Sequence, residues 1–240
     1  PCVRKAFALA FKQEYPRDYS DSYCWDHARS MVEMIYRGGD KVGNELKLSE
    51  EVTDVIRTSL GHLATTSLLK HRGLERMARS ASVLMNLGLV FDYADEITRQ
   101  DGVRVCMDLM RVLQKLRADY WMQHGFVDVL TAVHRMCWIS TPNGDSGRAQ
   151  FIRLQGCDLL MEVLGDGTAA SRPVDTVYRV LYSLYTLCGH DNSKSAVKEL
   201  PAAGKDIIKR ALITHADYLK KQDWWTKVNS TAKLLETLNA

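Results

Sequence analysis

The sequence has few of the residues and patterns that interrupt helices or build strands. It contains five prolines in 240 residues, little alternation of apolar and polar residues, and few clusters of β-branched residues. It also lacks any run of eighteen apolar residues, the length that a membrane-spanning helix requires. These absences predict an all-helical chain with no membrane span.

Neither sign of charge dominates the chain, and no cysteine motif stands out. The net charge of +3 is far below the basic excess that by itself indicates a nucleic-acid or membrane-surface protein. The six cysteines form no CxxC pair, and several fall at apolar positions of helical patterns, where a thiol behaves as a small hydrophobic group. We therefore expect reduced core cysteines in an intracellular protein, with the cytoplasm favoured. The cysteines are Cys2, Cys24, Cys106, Cys137, Cys157 and Cys188.

Patterns that carry catalysis or metal binding are also missing. Gly144-Asp145-Ser146-Gly147 resembles the sequence around the nucleophile of trypsin-like serine proteases, but it lacks their β-barrel context and predicts a turn in a polar loop. The histidines occur singly, and no glycine-rich phosphate-binding motif is present. We therefore predict a protein that is not an enzyme and that needs no metal, cofactor or small-molecule substrate.

What the chain does contain is a pair of positions that recurs about every fifty residues. The second members of the pairs are separated by 51, 49 and 51 residues. A fixed spacing of this size is typical of helical solenoids, in which each unit covers its apolar face with the next unit. The pairs are Leu84/Leu87, Arg135/Trp138, Leu184/Leu187 and Leu235/Leu238.

Three glycines divide the repeated units further. Gly102, Gly156 and Gly204 each follow a short segment, YADEITRQ, AQFIRLQ or AVKELPAA, and precede an amphipathic stretch. Each unit then consists of a long helix with the repeated pair, a short helix, and a third helix after the glycine. The pattern predicts three helices per unit.

The stretch AQFIRLQGCDLLMEVL, together with SASVLMNLG and its Asn86, resembles the armadillo repeat. The resemblance covers Leu74–Ala240 and implies a right-handed superhelical solenoid whose third helices line a concave face. The units here are longer than the family's usual repeat. The aligned positions after Asn86 hold Cys137, Thr186 and Thr237, so the asparagine ladder that grips basic peptides is missing and a nuclear-import-type receptor is disfavoured.

The first third of the chain is less regular than the rest. We expect helices at Tyr23–Tyr36 and at Ser49–Ala64, the second with an apolar stripe of Val52, Val55, Ile56, Leu60 and Leu63. Residues 1–73 would form an irregular helical cap that continues into repeats over residues 74–240 as one solenoid, because terminal units of solenoids are atypical.

The helices after the glycines carry the candidate binding surface. On the helix after Gly102, helical spacing predicts a core-facing set of Val103, Cys106, Met110 and Leu113. The residues predicted to face solvent are Arg104, Met107, Asp108, Arg111 and Lys115. By the same spacing, Cys157, Leu160 and Leu164 pack while Asp158, Met161 and Glu162 face out, and Ile208, Ala211 and Leu212 pack while Lys205, Lys209 and Arg210 face out. The predicted contact residues are Arg104, Asp108, Arg111, Lys115, Glu162, Lys209 and Arg210, and ordinary solvated charges are the alternative.

Two adjacent tryptophans, Trp224 and Trp225, follow two lysines and form a second candidate. An exposed tryptophan there could anchor a partner or stack on a base, whereas core packing is the simpler interpretation. The sequence thus favours a non-catalytic scaffold that binds a peptide or a partner subunit in a concave groove. The alternative is a subunit of an RNA-processing complex, because helical repeats also cradle single strands.

Overall fold

The fold of the described residues is entirely helical. A computed structural model describes residues 50–64, 80, 81, 83–85, 87, 88, 91–115, 120–137, 144–165, 174–188, 194–222, 225, 226 and 229–239. These residues form helices and short turns with no strand among them, which confirms the all-helical prediction. The expected helix at Tyr23–Tyr36 and the predicted boundary after residue 73 lie outside the described residues.

The chain divides into two compact units, Pro1–Gly147 and Arg148–Ala240. In the first unit the helices are α1 (Glu50–Ala64), α2 (Phe91–Arg99), α3 (Gly102–Lys115) and α4 (Tyr120–Met136). Helix α5 (Gly144–Arg153) contains the unit boundary. The second unit continues with α6 (Gly156–Gly165), α7 (Val174–Cys188), α8 (Lys194–Lys198), α9 (Ala202–Thr214), α10 (Ala216–Leu219) and α11 (Ser230–Asn239).

Helix α3 is central to the first unit because it packs against α1, α2 and α4. The predicted stripe of α1 is confirmed, since Val55, Ile56, Leu60 and Leu63 are all buried; the side chain of Val52 lies outside the described residues. Each fully buried aliphatic side chain contributes roughly 1.5–3 kcal/mol relative to an exposed one. The core of this unit therefore forms along one face of α1 and around most of α3.

Helices α6 and α9 are central to the second unit, as α3 is to the first. Helix α6 packs against α7 and α9, and α9 also contacts α7, α10 and α11. Helix α8 packs between α7 and α11. The members of the recurring pair are buried at Leu184, Leu187 and Leu238, while Leu235 is half-buried. The pair is likewise buried at Leu84 and Leu87 in the first unit, where Arg135 is half-buried and Trp138 is not described.

The predicted order of helices occurs twice. A short helix, a glycine, a second helix and a long helix follow one another as α2, α3, α4 and again as α5, α6, α7. The superhelical stacking of such units remains a prediction.

A left-handed corner joins the short helix to the next helix in both cases. Asp101 has a φ of 64° and Gln155 a φ of 59°, and each directly precedes the glycine that begins the next helix. The Asp101 amide donates to the Thr98 carbonyl at 3.1 Å, and the Asp101 carbonyl accepts from the Val105 amide at 3.1 Å. Aspartate is one of the residue types that adopt this conformation readily, whereas Gln155 adopts it at a steric cost.

The glycine after each corner permits a close approach. A Cβ on Gly102 would lie 2.5 Å from both the Cγ2 and the carbonyl oxygen of Ile97, and a Cβ on Gly156 would run into the ring of Phe151. Both Ile97 and Phe151 are fully buried. The corner differs at the third glycine, because α9 begins after Pro201, which has a φ of −57°, and Gly204 already lies inside the helix.

The prediction of a polar turn at Gly144-Asp145-Ser146-Gly147 was wrong, because these residues form the first turn of α5. Asp145 in that turn stabilises the positive end of the helix dipole. A Cβ on Gly147 would lie 2.9 Å from the Met136 carbonyl oxygen and 3.3 Å from the Cys137 sulfur. The glycine therefore allows the start of α5 to pack on the end of α4.

We expect Gly156→Ala to destabilise the protein by about 1–3 kcal/mol, because the added methyl group overpacks the buried Phe151 ring. Gly61→Ala is the matched control, since a Cβ added to Gly61 in α1 would meet no atom within 4 Å. That substitution should stabilise by about 0.5–1 kcal/mol. Urea unfolding measures both, and equal effects of the two substitutions would contradict the close approach at Gly156.

Candidate interaction surface

The exposed face of α3 carries the predicted contact residues of the first unit. Arg104 and Asp108 are exposed and Arg111 is half-buried. Arg104 forms an ion pair with Asp101, and Arg111 Nη1 lies 2.9 Å from Asp108 Oδ1. Exposed pairs three residues apart on a helix are worth only about 0.2–0.5 kcal/mol, so these side chains can exchange such partners for another molecule.

The exposed face of α3 includes fewer residues than the sequence predicts. Val103, Cys106, Met110 and Leu113 are buried as expected, but Met107, predicted to be open, is 0% exposed. The reason is that α3 is covered on several sides by α1, α2 and α4. Val112 is exposed instead and lies beside Asp108 and Arg111. The side chain of Lys115 lies outside the described residues.

Helix α6 presents an acidic face in the second unit. Asp158 and Glu162 are exposed, and Cys157, Leu160 and Leu164 are buried as predicted. Met161, predicted to face out, is buried. Its sulfur would lie 2.7 Å from a Cβ at Gly204, so Met161 fills the contact between α6 and α9 that the glycine leaves open.

Helix α9 presents basic side chains together with the exposed Asp206, next to an exposed isoleucine. Arg210 is exposed, Lys205 and Lys209 are half-buried, and Ile208 and Leu212 are buried as predicted. Ala211 is only half-buried. Ile213, one turn beyond Arg210, is 75% exposed. Because α6 and α9 pack against each other, the acidic residues of α6 and the basic residues of α9 lie on neighbouring helices of the second unit.

The proposed aromatic anchor does not match the position of Trp225, which is 2% exposed. Its indole Nε1 donates a hydrogen bond to Thr231 Oγ1 at 2.8 Å, and its ring meets Tyr178 and Tyr185 edge-on at centroid distances of 6.0 and 6.2 Å. Trp225 is therefore a core residue that pins the start of α11 to α7, as the simpler interpretation held. Trp224 lies outside the described residues.

A cluster of tyrosines surrounds Trp225, and the sequence reasoning missed it. The Tyr178 ring lies 6.0 Å from Tyr182 and 6.2 Å from Tyr218, with the Arg179 guanidinium 5.7 Å from its centroid. The signal was present in YRVLYSLY, where Tyr178, Tyr182 and Tyr185 recur at helical spacing. Their partner Tyr218 comes from α10, which no local pattern connects to α7.

Burial governs the protonation of this cluster. It raises the pKa of Tyr182 to about 12, with the Tyr178 hydroxyl adding to the effect. Burial also raises the pKa of Tyr178, and it raises the pKa of Tyr218 together with the nearby Asp175 carboxylate. Tyr178, Tyr182 and Tyr218 therefore remain neutral hydrogen-bonding groups at physiological pH.

The cysteines are not all reduced, contrary to our expectation. Cys157 and Cys188 form a disulfide between α6 and α7. Cys106 and Cys137 are buried and not disulfide-bonded, as predicted. Cys2 and Cys24 lie outside the described residues. A pair 31 residues apart has no spacing motif, so only the packing of α6 on α7 brings it together.

Neither a metal site nor a membrane span occurs among the described residues. No group of three or more His, Cys, Asp or Glu side chains in the described part of the chain could hold a metal ion. Within the same residues, no helix is both long and apolar enough to cross a membrane.

We expect the unfolding free energy of the protein to fall as the pH rises from about 10 to about 12, the interval between the ordinary pKa of tyrosine and that of Tyr182. A raised pKa gives stability that is complete below the unfolded value and is lost as the pH passes the folded value. Tyr182→Phe removes this titration, so its unfolding free energy should fall less steeply than that of the unsubstituted protein. Below pH 9 the difference between the two proteins should be constant; parallel curves up to pH 12 would contradict the shift.

Comparison with family models, curated proteins and solved structures finds no match to this chain. The armadillo resemblance of the sequence therefore remains an expectation. The function has to be inferred from the described residues themselves.

Proposed function

We propose that the protein is a non-catalytic scaffold that binds a peptide or a partner subunit through the exposed faces of α3, α6 and α9. In the armadillo-like solenoid that we propose for the chain, these helices line the concave groove. The observation that carries the proposal is the α3 face, where paired charges of both signs flank an exposed apolar side chain.

The composition of this face suits a protein partner. Arg104, Asp108 and Arg111 alternate in sign along one side of α3, and the exposed Val112 follows Asp108 by one helical turn. A phosphate backbone requires a track of one sign, whereas protein interfaces combine apolar contacts with a polar rim. The mixed face therefore favours a peptide or a folded subunit with complementary charges.

The second unit supports the same kind of partner. Glu162 on α6 offers an acidic contact, and Lys209 and Arg210 on α9 offer basic ones. Ile213 adds an apolar side chain beside Arg210. Because exposed ion pairs each contribute little, at most about 1 kcal/mol, binding would depend on several shallow contacts and on the apolar side chains between them.

The RNA-binding alternative has weaker support. It depends on basic residues of the predicted contact surface and on a tryptophan that could stack on a base, and Trp225 is buried with its Nε1 already bonded to Thr231. The remaining support is the set of basic side chains on α3 and α9, which are Arg104, Arg111, Lys205, Lys209 and Arg210. Phosphate-dominated binding weakens steeply with salt, so a salt titration of the captured complex separates the two candidates.

We expect the double substitution Arg104→Glu/Arg111→Glu to lower the affinity for the partner roughly tenfold, a loss of about 1.4 kcal/mol. The reason is that both positions would repel the acidic groups that they otherwise attract. The measurement is quantitative mass spectrometry of partners captured on the tagged protein from its native cells, with and without nuclease, followed by titration of the main partner.

The control is Arg57→Glu, because Arg57 pairs with Asp54 at 2.8 Å three residues away on α1, just as Arg111 pairs with Asp108 on α3. Arg57→Glu breaks an equivalent ion pair on α1, a helix outside the proposed groove. It should therefore leave the amount of captured partner unchanged. An unchanged affinity of the double variant, with an unchanged circular dichroism spectrum, would remove the α3 face from the site. Loss of all partners on nuclease treatment would favour the RNA alternative.

A further inference from the structure

The disulfide in the second unit lies at two helix ends. Cys157 is the second residue of α6 and Cys188 is the last residue of α7. We propose that Cys157 and Cys188 form a redox-dependent clamp, a thiol pair whose oxidation locks α6 to α7 and sets the stability of the second unit. The proposal does not depend on the function proposed above.

The position of the pair explains why oxidation would matter. Helices α6 and α7 pack against each other, and both contact α9, so their relative position supports the core of the unit. The disulfide closes a loop over a sequence separation of 31 residues. A crosslink of this kind lowers the entropy of the unfolded chain and thereby favours the folded state.

The other two described cysteines, Cys106 and Cys137, form no disulfide. Cys106 is 0% exposed, as Cys188 is, but it belongs to no disulfide, and burial raises its thiol pKa to about 12, which keeps the sulfur protonated. Cys106 and Cys137 are both buried in the first unit and are not disulfide-bonded. Among the described cysteines, the redox response is therefore confined to the second unit.

The reaction is a thiol–disulfide exchange with a small disulfide such as oxidised glutathione. Cys157 is the more accessible of the pair, with 7% of its surface exposed against 0% for Cys188, so its thiolate attacks first. One glutathione thiolate leaves and a mixed disulfide forms on Cys157. The Cys188 thiolate then attacks the Cys157 sulfur and expels the second glutathione.

The thiol–disulfide exchange conserves electrons and protons. Two protein thiols lose two electrons and two protons, and one oxidised glutathione becomes two reduced glutathione molecules. A reductant reverses the sequence by attacking the Cys157 sulfur and releasing Cys188. Because both cysteine residues are buried, we expect reduction to be slow in the folded protein and faster when the second unit opens.

The first test is a peptide map of the full-length protein after equilibration with oxidised and reduced glutathione and trapping of thiols by alkylation. Trypsin cleaves after Arg153, Arg179 and Lys194, which places Cys157 and Cys188 on separate peptides, residues 154–179 and 180–194. We expect these two peptides to be linked under oxidising conditions and both alkylated under reducing ones. Cys106 and Cys137 should remain unlinked throughout.

The second test is thermal unfolding with and without dithiothreitol. Reduction should lower the Tm of the unit by roughly 5 °C or more. The variant Cys157→Ser/Cys188→Ser should have the lower Tm and no response to dithiothreitol, and Cys157→Ala/Cys188→Ala replaces it if the serine variant fails to fold.

The absence of linked peptides at every glutathione ratio would overturn the proposal. So would linked peptides whose reduction leaves the Tm unchanged, since the crosslink would then not stabilise the unit. Because the peptide map needs no variant and no partner, its result is separate from any outcome of the capture experiment.

Discussion

The close approach at two glycines governs the arrangement of the helices around it. At Gly102 and Gly156 the missing side chain lets a new helix begin directly over the buried side chain of the preceding short helix, Ile97 or Phe151. The left-handed residue before each glycine then turns the chain sharply enough for that contact. The corner therefore sets the direction in which α3 and α6 leave the short helices before them.

The depth of packing around these helices decides how much surface remains for binding. Met107 and Met161 lie at positions that a single amphipathic helix would leave open, yet both are buried because neighbouring helices cover more than one side. The exposed strips that remain are rich in charge, with Val112 and Ile213 as their large apolar members. Such strips suit a partner that contacts many residues weakly rather than one that fills a deep pocket.

The two units repeat an order of helices but differ in what holds the helices together. In the first unit the described cysteines are buried apolar fillers. In the second, α7 is fixed by a cluster of tyrosines around Trp225 and is crosslinked to α6 through Cys188. Helix α7 is therefore held by aromatic contacts and a crosslink in addition to the packing of aliphatic side chains such as Leu181 and Leu184.

The sequence by itself determined the helical class, the positions at which α3 and α6 begin, and most of their buried residues, such as Val103 and Leu160. These features depend on local spacing, which the period of a helix converts directly into a face. Tertiary structure alone decided the burial of Met107 and Trp225, the helical start of α5 at Gly144, and the joining of Cys157 to Cys188. Each of these depends on how another helix packs against the residue, and no local pattern of the sequence records that packing.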